Sequence, residues 1–213
     1  MLTITNLNNT LRAIASALQM PVTIILILLI AVTIIMAGTL LAEVFTERRH
    51  MCKKLPELLS ELEAGKRPLD EIIKGGGLLR RQTALLLTIC GKTDLSALKR
   101  ESLAGELIEA ERAHYDLKVK ITDLVMKLGP MFGLLGTLIP LGPGIIALGR
   151  GDTYTLSTSL LTAFDTTIAG LIAAAVATLI STIRKRWYNR YMGQLGAVTE
   201  SLLEAMEGKH ETA

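Results

Sequence analysis

Three long stretches of this chain are almost free of charged residues, and they constrain its fold more than any other feature. They cover residues 22–42, 128–149 and 156–183. Each is about 20 residues or more in length, which as a helix crosses a hydrocarbon core of roughly 30 Å. In lipid every backbone N–H and C=O must be paired within the protein, and one continuous segment achieves this only as an α-helix. The sequence therefore predicts an all-α integral membrane protein with three transmembrane helices.

Basic residues predict how these helices are oriented. Of the 23 Lys and Arg, all but Arg12 and Arg150 lie either between the first two stretches or after the third. Because Lys and Arg favour the cytoplasmic side, we expect the N-terminus outside and the C-terminus in the cytoplasm. The predicted segments are an outer segment 1–20, span 21–45, a cytoplasmic loop 46–127, span 128–149, an outer turn 150–155, span 156–183 and a cytoplasmic helix 184–213.

The cytoplasmic segments are predicted to be helical, with long helices reaching into the cytoplasm. Short helices are expected over 55–64, 69–74 and 78–90, each followed by glycine or proline. From Asp94, a predicted N-cap, one helix of about 50 residues is expected to run into the second span, roughly 75 Å long. Its apolar stripe comprises Leu95, Leu98, Leu103, Leu107, Ala110, His114, Leu117, Ile121, Leu124 and Leu128.

The C-terminal helix carries a second apolar stripe, formed by Leu195, Val198, Leu202 and Met206. Such stripes usually pack against other helices of the same chain or of sister subunits.

Asp165 is the residue of the spans that most strongly indicates a function. A carboxylate inside a membrane span costs roughly 2.5–3.5 kcal/mol on insertion scales, and it usually faces a bundle interior or a hydrated path. Thr158, Thr162 and Ser181 are predicted to share its side of the helix at three- and four-residue spacings. An alternative is that each hydroxyl bonds to its own backbone.

The second span is rich in residues that control helix packing. Gly129 and Gly133 form a GxxxG pattern, followed by Gly136, and such glycines allow close helix contact in lipid. Pro140 and Pro143 remove backbone donors, so carbonyls one turn earlier need other partners. The hydroxyl of Thr137 is expected to be suited to that role.

Enzymes and nucleic-acid-binding proteins are disfavoured by the residues present. The Gly91-Lys92-Thr93 triplet lacks the preceding glycine of a phosphate-binding loop, since Leu86 occupies that position. The formal net charge of +3 is explained by topology and by contact with anionic lipid. We therefore expect no enzymatic activity, no cofactor, no metal site and no nucleic-acid partner.

Two motifs resemble those of the MotA/TolQ/ExbB proton-channel family. They are Gly-Pro-x-x-Gly-Leu-Leu-Gly-Thr over 129–137 and Thr-Thr-Ile-Ala-Gly-Leu over 166–171. The three spans and the large cytoplasmic insertion are similar to the TolQ/ExbB branch. This resemblance implies a homopentamer around two copies of an ExbD/TolR/MotB-like partner, whose single span carries an aspartate. It further implies that proton or sodium flow drives mechanical work, and that Thr137 and Thr167 line the pore.

One departure from the family pattern concerns the third span. TolQ and ExbB proteins carry a glutamate five residues before the second pore threonine, where this chain has Thr162. Either the acid has moved to Asp165, or the protein conducts without that glutamate, as the MotA branch does. The predicted ion pathway therefore comprises Asp165, Thr137, Thr162 and Thr167.

Two other functions remain open from the sequence. A non-conducting membrane scaffold would use Asp165 to anchor a partner helix and the long cytoplasmic helix to dock other proteins. A stand-alone secondary transporter is a weaker alternative, because three spans without an internal repeat are too few for one chain.

Overall fold

The computed structural model describes residues 2–46, 55–64, 67–92 and 94–211. Those residues form helices and no strands, which confirms the predicted all-α class. The helices are α1 (Leu2–Thr46), α2 (Leu55–Ala64), α3 (Leu69–Gly75), α4 (Arg80–Cys90), α5 (Ala97–Gly149) and α6 (Thr153–Glu211).

Three of these helices are long and apolar enough to cross a membrane, as the sequence predicts. The qualifying segments are Ser16–Phe45 of α1, Ala97–Gly149 of α5 and Thr153–Glu207 of α6. Each helix extends past its predicted span. The predicted outer segment continues helically into the first span from Leu2, and α6 continues through the predicted cytoplasmic helix.

The short helices follow the predicted positions closely. The first covers the predicted residues 55–64, the second ends one residue later than predicted, and the third begins at Arg80. Gly77 has a φ of 66°, a left-handed conformation that glycine adopts without steric cost, so the glycine run ends α3 as expected. Asp94 is not the N-cap of the long helix, because α5 begins at Ala97.

The apolar stripe predicted along α5 is buried only in part within the chain: Leu107 packs against the core of the second unit, and Leu103 and His114 are half-buried. Leu98, Leu117, Ile121 and Leu124 are exposed. The buried side is one residue out of register and contains Ala104, Tyr115, Val119, Thr122 and Val125. The tyrosine and the β-branched residues pack inward there, whereas Leu98, Leu117 and Leu124 face outward. The C-terminal stripe is confirmed, since Leu195, Val198, Leu202 and Met206 are all buried.

The chain divides into two compact units. The first unit comprises Met1–Gly38 and Lys120–Thr182, and the second comprises Thr39–Val119 and Ile183–Ala213. In the first unit, α1 buries Val22, Leu26, Leu29 and Met36 at helical spacing, and α6 contributes mostly alanines. In the second unit, α2, α3 and α4 pack around Leu62, Ile73, Leu86 and Ile89, together with tyrosines and apolar residues of α5 and α6.

A three-residue turn joins the spanning parts of α5 and α6. Gly151 has a φ of 77°, which again favours glycine. Asp152 caps α6: its Oδ1 accepts a hydrogen bond from the Thr155 N–H at 3.0 Å, and its Oδ2 accepts one from the Thr155 hydroxyl. These hydrogen bonds lower the pKa of Asp152.

Candidate functional site

Backbone contact between α5 and α6 positions the polar residues of the first unit. A Cβ added to Gly170 would lie 2.5 Å from the carbonyl oxygen of Gly129 and 2.9 Å from the Cα of Gly133. A Cβ on Gly129 would lie 2.7 Å from the carbonyl oxygen of Gly170. No side chain larger than hydrogen fits at Gly129 or Gly170 unless the helices shift. These glycines therefore allow the close helix contact predicted from the GxxxG pattern.

Gly136 places Thr137 at the depth of the α6 hydroxyls. A Cβ on Gly136 would lie 2.6 Å from the Cβ of Thr166. Thr137 follows Gly136 on α5, and Asp165 precedes Thr166 on α6, so both lie at about the same depth along this helix pair.

The prolines of the second span do not break α5. Pro130, Pro140 and Pro143 all lie within the continuous helix. Because Pro140 and Pro143 have no backbone N–H, the carbonyl oxygens of Gly136 and Ile139 lack their usual hydrogen-bond donors. The Thr137 hydroxyl instead donates to the Leu134 carbonyl oxygen at 2.7 Å, so the role expected for it is wrong.

The α6 threonines bond to their own helix, which is the alternative left open by the sequence. Thr162 Oγ1 donates to the Thr158 carbonyl oxygen at 3.0 Å, and Thr167 Oγ1 donates to that of Ala163 at 3.1 Å. Thr158 and Thr166 do the same. Such bonding satisfies each hydroxyl proton while leaving the hydroxyl oxygen able to accept a further hydrogen bond.

The acid face is the exposed side of α6 formed by Thr158, Thr162 and Asp165. All three residues are exposed on the single chain. The neighbouring side chains Leu161, Phe164 and Ile168 are also exposed, so the carboxylate is surrounded by apolar surface.

The predicted pathway residues divide between two sides of α6. Thr162 lies three residues before Asp165 and shares its side. Thr167 lies two residues after Asp165, which is about 200° around the helix axis. A Cβ added to Gly133 would lie 3.6 Å from the Cα of Thr167. Thr167 therefore borders the α5 contact, whereas Asp165 is turned away from it.

Ser181 and Asp123 form a pair that the sequence analysis missed. The Ser181 hydroxyl donates to Asp123 Oδ1 at 2.5 Å, which joins α6 to α5. Ser181 is buried, so it does not extend the acid face as predicted. Its position, sixteen residues after Asp165, corresponds to about 160° around the axis and already indicated a different side.

In the second unit, the carboxylate of Glu43 on α1 interacts with side chains of α5 and α6. Lys118 Nζ and the Tyr188 hydroxyl donate to its Oε1 at 3.1 and 3.2 Å. Arg184 Nε lies 3.5 Å from its Oε2, and Arg184 Nη2 donates to Thr39 Oγ1 at 2.8 Å. The charge of the buried Arg184 is thus compensated by the first acidic residue after the first apolar stretch.

A second ion pair joins α4 to α5. Arg81 Nε and Nη2 donate to the carboxylate of Glu111 at 3.0 Å, and this bond raises the pKa of Arg81. Burial, followed by the charges of Arg81 and Lys118, lowers the pKa of the neighbouring His114. These groups connect the helices of the second unit, and the sequence offered no spacing that pairs them.

The fold and the site define a multi-pass membrane protein whose paired spans carry hydroxyls and a carboxylate. The model of the MotA/TolQ/ExbB proton channel family matches residues 81–197, which include both motifs and Asp165. The chain belongs to this family.

A curated relative is the Biopolymer transport protein exbB1 of Vibrio cholerae serotype O1, 29% identical over 153 residues. That alignment covers 67% of this chain and 60% of the relative.

Proposed function

We propose that this protein is the ion-conducting subunit of a proton-driven membrane motor, which couples ion flow to mechanical work through a single-span partner. The observation that carries the proposal is Asp165, a carboxylate exposed on a membrane-spanning helix of a chain that belongs to a proton channel family. An uncovered carboxylate in lipid is costly, so its presence in this span favours a role in ion exchange.

The proposed pathway uses Thr137, Thr162, Asp165 and Thr167. The two pore threonines come from the family resemblance, whereas Asp165 supplies the group that takes up and releases the ion. We favour the proton because the matching family is described as a proton channel family, and sodium is the alternative. One charge crossing about 100 mV yields roughly 2.3 kcal/mol, so substantial work requires several ions.

The proposed assembly follows the same resemblance. It is a homopentamer around two copies of an ExbD/TolR/MotB-like partner with an intramembrane aspartate. We place it in the cytoplasmic membrane with the N-terminus outside and the C-terminus inside, because of the distribution of Lys and Arg. The relative's name supports a role in biopolymer transport.

Asp165→Asn tests the proposal against the scaffold alternative. Protein co-expressed with its partner is reconstituted in vesicles, and proton uptake driven by a membrane potential is measured with an internal pH dye. We expect the variant to keep its partner and lose uptake. Asp152→Asn is the matched control, because it makes the same substitution at an exposed carboxylate in the turn.

Two results would contradict the proposal in different ways. Uptake at the wild-type rate in Asp165→Asn would remove Asp165 from the ion pathway. Loss of the partner from the complex, together with a wild-type protein that conducts nothing, would favour the non-conducting scaffold that anchors a helix through Asp165. Measuring potential-driven sodium uptake into the same vesicles at constant pH identifies the ion.

A further inference from the structure

Arg100 is a buried arginine of the second unit. The residue is 3% exposed. Its Nε and Nη1 atoms are enclosed and have no hydrogen-bond partner within the part of the chain that the structure describes. The acidic residues on either side of it in the sequence, Asp94 and Glu101, are both exposed. Because burial of an unpaired charge is strongly unfavourable, this guanidinium requires an anion.

Arg100 lies in the first turn of α5, where a helix also offers free backbone donors. The helix begins at Ala97, and the Arg100 N–H donates to the Ser96 carbonyl oxygen at 3.0 Å. The N–H groups of residues 97–99 come before that bond, and N–H groups at this position have no partner within their own helix. These donors and the helix dipole favour an anion at this end of α5.

The Arg100 side chain and these backbone donors converge on one place. In an α-helix the Cα–Cβ bond tilts toward the N-terminus, and a long side chain lies over the preceding turn. For Arg100 this directs the guanidinium toward the N–H groups of residues 97–99 from the buried side. Lys99 adds an exposed positive charge, and residues 97–100 include no acidic side chain that could fill the site.

The position of Arg100 along α5 indicates the source of the anion. It lies about 42 Å along the helix from Leu128, where the predicted second span begins. Headgroups of the membrane that the protein spans are too distant, so the anion comes from solution. Because the chain itself covers almost all of Arg100, a small oxyanion fits better than a side chain of another protein. A guanidinium and helix N-terminal N–H groups together match the oxygens of a phosphate.

We propose that the start of α5 binds a phosphate group, supplied by free phosphate or by a soluble phosphate monoester. The phosphate oxygens accept hydrogen bonds from the guanidinium of Arg100 and from the N–H groups of residues 97–99. The site uses none of the proposed ion-pathway residues, so the inference goes beyond the proposed function. Since the ligand binds the folded state, it also stabilises the second unit against unfolding.

Equilibrium dialysis tests the site directly. Full-length protein in a maltoside detergent, which contributes no phosphate, is dialysed against radiolabelled inorganic phosphate at constant ionic strength. We expect saturable binding to the wild type, weakened roughly tenfold or more in Arg100→Met. Arg80→Met is the matched control, because Arg80 is an exposed arginine of the same unit at the start of α4. We expect it to bind phosphate as the wild type does.

Thermal unfolding of the second unit gives an independent readout. Trp187, the one tryptophan of the chain, packs against the core of this unit, so its fluorescence reports unfolding. Phosphate is expected to raise the midpoint of the wild type and of Arg80→Met, but not that of Arg100→Met. Without phosphate, Arg100→Met should unfold at the wild-type temperature or above it, because methionine replaces an unpaired buried charge with apolar volume.

Competition with unlabelled compounds identifies the source of the phosphate group. Displacement of the label by glycerol 3-phosphate at lower concentration than by inorganic phosphate assigns a phosphate monoester, and the reverse order assigns free phosphate.

Four results would overturn the site. They are no saturable binding of millimolar phosphate by the wild type, equal binding by the wild type and Arg100→Met, and displacement by acetate as effective as by phosphate. The fourth is a lower unfolding temperature of Arg100→Met without phosphate, which would show that the chain itself compensates the guanidinium.

Discussion

Replacing Gly170 by alanine is expected to separate α5 from α6. Its Cβ would lie 2.5 Å from the Gly129 carbonyl oxygen and 2.9 Å from the Gly133 Cα, whereas ordinary contact begins near 3.4 Å. The helices must therefore move apart by roughly 0.5–0.9 Å, and a gap of that size forfeits about a quarter to a half of each dispersion contact. We expect a loss of about 1–3 kcal/mol in the free energy of unfolding, as for other overpacked sites.

The control for Gly170→Ala is Gly142→Ala on α5, where an added Cβ meets nothing within 4 Å. A reporter cysteine at the buried Ala177 is introduced into a chain whose two natural cysteines are replaced by serine. Its labelling by a thiol reagent is followed through an SDS titration in mixed micelles. The expected result is exposure of the thiol at lower SDS in Gly170→Ala alone. Equal midpoints for both variants would refute the close-contact argument.

Three further substitutions test the polar contacts by thermal or SDS unfolding. Arg81→Ala should cost about 1–2 kcal/mol, because it leaves the buried Glu111 carboxylate unpaired, and replacing both residues with Met should cost less. Glu43→Leu should cost about 3 kcal/mol by leaving Arg184 buried without a counter-charge, with partial recovery on adding Arg184→Met; no recovery would contradict this. Asp152→Ala should destabilise α6, and Asp152→Asn should do so much less, because asparagine can also cap a helix. Since the pKa of Asp152 is lowered in the folded protein, its carboxylate contributes fully to stability above pH 3.8, and this contribution is lost as pH falls through the folded-state pKa. Asp152→Asn should lack this pH dependence.

The spans and the short helices were predictable because their determinants are local. A long apolar run must be helical in lipid, and glycine or proline ends a helix wherever it occurs. For this reason α2 appears over the predicted residues, and α5 continues into its span. The exclusion of Asp94 from α5 reflects the usual uncertainty of helix ends, where several polar residues precede the first turn.

Which side of a helix is buried depends on the helices that pack against it, and the sequence predicted this less well. Leucine spacing indicated one side of α5, but Tyr115 and Val119 occupy the buried side. Asp123 and Ser181 lie 58 residues apart, so only the antiparallel register of α5 and α6 brings them together. Thr167 and Asp165 could have been separated in advance, because two residues correspond to about 200°.

The brevity of the turn between α5 and α6 limits how this protein can vary. Gly151 and the Asp152 cap form a short turn that fixes where α6 begins. An inserted residue that joined the start of α6 would rotate the turn relative to the rest of that helix by about 100° and shift it by about 1.5 Å. Thr137 and Asp165 would then lose their common depth. We therefore expect related chains to have the same number of residues in this turn. The glycine-containing link after α3 should tolerate insertions.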